Sequence, residues 1–127
     1  MSRHGRPCEE LTMSCFTLDE RARLSIELAL TSDVHDPLRV QQQEAAARRL
    51  GMSGAEIDAA RSGWSFDVRT SVAIALAMAF ATADVDRHRQ QRAKAVKAGI
   101  TEDGCLEIEA LAARFAHHSP RKVERYA

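Results

Sequence analysis

Asp36-Pro37-Leu38-Arg39-Val40-Gln41-Gln42-Gln43-Glu44-Ala45-Ala46-Ala47-Arg48-Arg49-Leu50-Gly51 decides how this chain is read, because it returns as Asp84-Val85-Asp86-Arg87-His88-Arg89-Gln90-Gln91-Arg92-Ala93-Lys94-Ala95-Val96-Lys97-Ala98-Gly99. Laying the sequence on itself with an offset of 48 gives twelve identical pairs, without a gap, from Leu18/Phe66 to Arg61/Glu109. Three are Ala/Ala pairs, which an alanine-rich chain produces by chance. The other nine are Asp19/Asp67, Arg21/Arg69, Ile26/Ile74, Leu28/Leu76, Asp36/Asp84, Arg39/Arg87, Gln42/Gln90, Gln43/Gln91 and Gly51/Gly99. Self-similarity at a fixed period is the mark of one supersecondary unit written twice.

Local signals in the first unit describe three helices. Thr17 stands three residues before Glu20, the spacing of a capping box, and opens a helix through Leu24, Ile26, Leu28 and Leu30. Asp36-Pro37 restarts the chain with proline in the first helical turn, and that helix runs from Pro37 to Leu50. Gly51 suits the left-handed position after a helix end, and Ser53 with Glu56 repeats the capping-box pattern for a short helix to about Arg61.

The second unit follows the same order. An apolar helix starting after Phe66 ends at Ala83, a polar helix spans about Val85 to Ala98, and Thr101 caps a helix to about Ala116. Val72 to Ala83 is interrupted only by Thr82 and is too short to cross a bilayer, so it reads as a buried helix. Pro7 to Met13 and the stretch after Ser119-Pro120 could each hold a short helical turn. No segment sustains the alternation of a strand, and the expected class is all-α. A single domain is expected over 1–127, with an arm at 1–17, repeats at 18–61 and 66–115, and a tail at 116–127.

Composition narrows the partners. Lys+Arg and Asp+Glu are equal at 18 each, so no global field steers the chain onto nucleic acid or an acidic membrane, and neither is expected as a partner. Cys8, Cys15 and Cys105 have no zinc-like spacing and do not suggest a disulfide framework. The N-terminal residues lack the apolar core of a signal peptide, so a reduced, cytoplasmic setting is expected.

The succession Leu18-Asp19-Glu20-Arg21, an apolar helix, a polar helix ending Ala47-Arg48-Arg49-Leu50-Gly51, then Met52-Ser53-Gly54-Ala55-Glu56-Ile57 resembles the AhpD-like/carboxymuconolactone decarboxylase superfamily. Phe66-Asp67-Val68-Arg69 and Lys97-Ala98-Gly99-Ile100-Thr101-Glu102-Asp103 carry the same resemblance in the second unit, which extends over roughly Leu18 to Phe115. It implies an AhpD-like multihelical bundle of two pseudo-repeats, about three helices each, and a homo-oligomer from dimer to hexamer. Redox members open the polar helix with Cys-x-x-Cys and place a histidine one turn on. Counted back from the glycine, those places are Asp36, Arg39 and Gln43, and again Asp84, Arg87 and Gln91. None is a thiol, and thiol–disulfide exchange needs a thiolate, so the resemblance brings the fold without the peroxidase chemistry.

Three functional readings remain. The first is a homo-oligomeric binding or structural module. The second is a decarboxylase- or isomerase-like enzyme for a small carboxylated metabolite: Arg39 or Arg87 would clamp the carboxylate, and Asp36, Asp84, His35 or His88 would move a proton. The third is peroxidase-type chemistry from Cys8 or Cys15. In the plain structural reading Asp36 and Asp84 are helix caps that pair with Arg39 and Arg87, Gln43 and Gln91 are satisfied amides between helices, and His88 is a partly exposed histidine paired with an acid. Asp84, Asp86 and His88 lack further ligands for a metal, and no cofactor is called for. The basic run Arg87 to Lys97 reads as a solvated face, or as a contact between subunits with the acidic helix Glu102 to Glu109. Cys105, equated with Ile57, reads as a small core residue.

Overall fold

The computed structural model describes residues 18–116, which form six α-helices and contain no strand. These are α1 (Glu20–Leu30), α2 (Pro37–Arg49), α3 (Gly54–Arg61), α4 (Val68–Ala81), α5 (Val85–Lys97) and α6 (Glu102–Ala116). The expected turns at Pro7 to Met13 and beyond Ser119, with Cys8 and Cys15, lie outside the described residues. No described helix is long and apolar enough to cross a membrane.

Each helix start has a chemical cause. Asp19, Asp36, Asp67 and Asp84 hold extended backbone conformations and turn their carboxylates onto the first free N–H groups of α1, α2, α4 and α5. Those donors have no partner inside the helix, and an acid there also meets the positive end of the helix dipole. At α1 this corrects the expectation from sequence: Thr17 lies outside the described residues, and the cap is Asp19, whose Oδ1 accepts from Ala22 N at 2.9 Å. An aspartate one residue before the helix competes directly for the donors that the capping-box spacing assigned to Thr17. At α3 the capping box is present as expected, with Glu56 N donating to Ser53 Oγ at 3.1 Å and Ser53 N donating to Glu56 Oε1 at 2.7 Å. Thr101 Oγ1 accepts from Gly104 N at 3.0 Å at the start of α6.

The ends are equally local. Gly51 and Gly99 follow α2 and α5 at φ 85° and 99°, a left-handed conformation that any side chain would strain. Helix starts at 20, 37 and 54 are matched by starts at 68, 85 and 102, each 48 residues on.

Two apolar clusters share α1 as their common wall. Ile26, Ala22 and Ala29 point into the larger cluster with Ile74, Leu76, Ile100, Cys105, Ile108 and Ala112. Leu24 and Leu28 point into a smaller one with Ala47, Met52, Ile57 and Ala60. The centre of the larger cluster is α4, whose Ala73, Ile74, Leu76, Ala77 and Ala79 are all buried. It packs against α1, α5 and α6, and its alanines let those helices approach closely. By contrast α2 touches α1 along much less of its length than α5 touches α4, and buries only Gln43 and Ala47. Cys105 is fully buried, as a core residue should be, and burial pushes its thiol pKa up.

Ile74 is at the centre of this packing with no exposed surface. Ile74→Ala is expected to destabilise the fold by about 2–5 kcal/mol, whereas Leu38→Ala, at an exposed position, should change stability by less than about 0.5 kcal/mol. Urea unfolding followed by circular dichroism reads both; equal losses would contradict the assignment of α4 to the core.

Candidate functional site

Each of the eight polar residues singled out in the sequence has a defined position. Asp36 Oδ1 accepts from Leu38 N at 3.2 Å and Arg39 N at 3.5 Å, and Asp84 Oδ1 accepts from Arg87 N at 3.1 Å. No ion pair joins Asp36 to Arg39 or Asp84 to Arg87 among the described residues, so the expected acid–arginine pairs are absent. The reason is competition. A short carboxylate at the cap position is already held by the backbone donors beside it. His35 is exposed in the turn ahead of α2, and Gln91 is half-buried.

Gln43 is the best satisfied of the eight. Its Nε2 donates to Glu27 Oε2 and to Thr31 Oγ1, both at 3.0 Å, which ties α2 to α1 through a buried amide. Gln43, Asp36 and Arg39 share the wall of a cleft of about 420 Å³ between these two helices. In the other half, Arg87 is exposed and His88 turns toward α6, its Nε2 2.7 Å from Glu109 Oε2 and its ring edge-on to Phe80. His88 is thus paired with an acid, as the plain structural reading has it, and that acid is Glu109 rather than Asp84. Among the described residues no group of three or more His, Cys, Asp or Glu could hold a metal ion.

The basic face of α5 also finds partners within its own chain. Arg92 Nε donates to Glu109 Oε2 at 2.9 Å and Nη1 to Glu102 Oε2 at 3.0 Å, and these two carboxylates, Glu102 first, hold the guanidinium more firmly protonated than usual. The acidic helix that could have met Arg92 from another subunit meets it inside the fold. In the first half, Arg61 Nη1 donates to Glu44 Oε2 at 3.1 Å. Positions 44 and 61 become 92 and 109 on adding 48, so the same helix pair is tied by the same contact with the charges exchanged.

A second cleft, of about 450 Å³, brings together residues outside those eight. It opens between the N-termini of α1 and α4, with Asp19, Arg21 and Ser25 on one side and Asp67, Arg69 and Thr70 on the other. Arg21 Nη2 makes a two-oxygen contact with Glu56 at 3.2 and 3.1 Å. Arg69 stands at the matching position, but the place of Glu56 is taken by Gly104, and Arg69 Nε donates instead to Ala98 O at 2.9 Å. In the sequence these residues are marked by the identities Asp19/Asp67 and Arg21/Arg69, of which the aspartates are also accounted for as helix caps. Comparison with family models, with curated proteins and with solved structures yields no match for the chain.

Two outcomes test this geometry. The Ser53 N–H, then Arg21 and the Ser53 hydroxyl, hold the Glu56 carboxyl below its usual range. Its contribution to stability is therefore complete above the unfolded-state carboxylate pKa and disappears as pH falls through the lower folded-state value. Glu56→Gln keeps a capping-box side chain and should flatten the acid side of a melting-temperature profile; an unchanged slope would show that the charge has no such role. Gln43→Ala leaves Thr31 and Glu27 without their amide donor and is expected to destabilise by about 1–3 kcal/mol in denaturant titration. A loss near zero would contradict the buried bridge.

Proposed function

We propose that this chain is an AhpD-like protein without the redox cysteine pair, built from two helical units and working as a homo-oligomeric binding module. Support for two units comes from helix starts spaced by 48 residues and from matched burial, with Ile26 and Ile74, Leu28 and Leu76, and Ala47 and Ala95 all fully buried. The absence of sulfur at 36, 39, 43, 84, 87 and 91 removes thiol–disulfide exchange from the polar helices.

Assembly rests on one observation. Trp64, Phe66 and Val68, at the entry to α4, are 45%, 61% and 71% exposed, and the two rings meet edge-on with centroids 4.8 Å apart. A local aromatic cluster of this kind favours burial against a partner, since large side chains dominate interface energetics. A binding role is favoured over catalysis by the α1–α2 cleft. Asp36, the proton carrier of the decarboxylase-like alternative, is held there by backbone N–H groups, while Arg39 has no acid bound to it among the described residues and can still receive a carboxylate.

Sedimentation velocity is the direct test. The chain is expected to sediment as an oligomer at micromolar concentration, and Phe66→Ser with Val68→Thr should weaken association by about tenfold or more. A compact monomer for the unaltered chain overturns the assembly reading, and an oligomer indifferent to both substitutions places the interface elsewhere.

A further inference from the structure

The cleft between the N-termini of α1 and α4 has chemistry that the fold does not use. Its walls carry three carboxylates, Asp19, Glu56 and Asp67, and two guanidiniums, Arg21 and Arg69. Glu56 and Arg21 neutralise one another through two contacts. Asp19 Oδ1 and Asp67 Oδ2 receive the helix N–H groups, and Thr70 Oγ1 also donates to Asp67 Oδ2 at 2.8 Å, which leaves the second oxygen of each aspartate without a protein partner among the described residues. Arg69 uses only Nε, on Ala98 O, so its two terminal nitrogens are open as a fork.

A second observation points independently to a ligand. Ser25 lines the same cleft, is only 5% exposed, and has no hydrogen-bond partner among the described residues. A helical serine ordinarily returns its hydroxyl to a carbonyl one turn back, whereas the Ser25 hydroxyl keeps surface open to the cleft: the one solvent-inaccessible side-chain N or O without a partner among the described residues is Arg61 Nη2. A hydroxyl withheld from the backbone at the wall of a polar cleft is a donor and acceptor in waiting.

We infer that this cleft binds a small zwitterionic amino acid, whose carboxylate takes the Arg69 fork and whose ammonium group faces the second oxygens of Asp19 and Asp67, with Ser25 at its wall. Charge decides between ligand classes. With Arg21 cancelled by Glu56, the remaining charges are two negative and one positive, so phosphate or a dicarboxylate meets net repulsion. A simple carboxylate satisfies the fork but sits beside two uncompensated acids. A molecule carrying both signs meets a complement at each end. The volume of about 450 Å³ lies in the range of small-molecule sites and accommodates an α-amino acid with a side chain. Gly104 is what makes the site: a carboxylate there, as at Glu56, would occupy the fork with an internal partner.

This inference rests on the reading of the chain as a binding module, places its ligand in a different cleft from the one beside Arg39, and does not depend on assembly state, because both walls belong to one chain. Glycine, acetate, methylammonium and inorganic phosphate are titrated separately into the full-length protein, with backbone amide and arginine side-chain shifts followed by NMR. Glycine is expected to give saturable shifts at residues 25 and 67–70, with each of the other three at least about tenfold weaker. Arg69→Gln should remove the glycine response. Asp19→Asn with Asp67→Asn keeps both caps, since asparagine caps as well as aspartate, and should weaken glycine about tenfold while strengthening acetate. Ser25→Ala, which leaves every charge in place, should weaken glycine while the melting temperature is held. Absence of a saturable glycine response, binding of phosphate or acetate as tight as glycine, or a glycine response indifferent to the aspartate pair would each overturn the inference. A monomer in sedimentation would overturn the assembly reading and leave this result to be judged alone.

Discussion

A helix apolar on nearly every face cannot lie on a surface, and α4 imposes that constraint on everything around it. Val72 to Ala81 has no polar residue, and α1, α5 and α6 pack over its buried face at Ala73, Ile74, Leu76, Ala77 and Ala79, while Met78 stays exposed. The energy lies in that enclosure rather than in the helices themselves, whose individual lengths of 8–15 residues would be marginal in water. Once α1 is held against α4, its opposite face is committed to Leu24 and Leu28, and the smaller cluster with α3 forms behind it. The N-termini of α1 and α4 are brought side by side by the same contact, which is why capping residues some 48 positions apart in sequence come to wall one cleft.

Much of the helical layout is legible in the sequence because the signals are local. Asp36-Pro37, Ser53 with Glu56, and Gly51 and Gly99 each act on backbone within one turn, and the helices begin and end where those residues require. The misreading at α1 is instructive for the same reason. Thr17 and Asp19 are both acceptable caps, and spacing alone favoured the one that completes a box, whereas the nearer carboxylate is the one that bonds the first turn. The polar constellations were harder to read, because two residues at helical spacing can face each other or diverge. Asp36 and Arg39 line one cleft without pairing, and His88 crosses to a carboxylate twenty-one positions away. Nothing in the local sequence of Arg69 says that the position answering Glu56 is a glycine on a different helix; only the packed chain relates them.

The aspartates illustrate how position spends a functional group before chemistry can use it. At a helix start a carboxylate accepts from backbone donors and is held there. Arg39 and Arg87, three residues past their caps, make no ion pair among the described residues. Both clefts therefore set carboxylates held by helix N–H groups beside arginine side chains.

The exchanged polarity of the two interhelical ties limits which halves can dock. Glu44 meets Arg61 between α2 and α3, and Arg92 meets Glu109 between α5 and α6. Were α2 to settle on α6 during folding, Glu44 would confront Glu109, and α5 on α3 would set Arg92 against Arg61. The two helix pairs are thereby told apart by sign, so crossed docking, within a chain or between neighbouring chains, meets like charges at both joints.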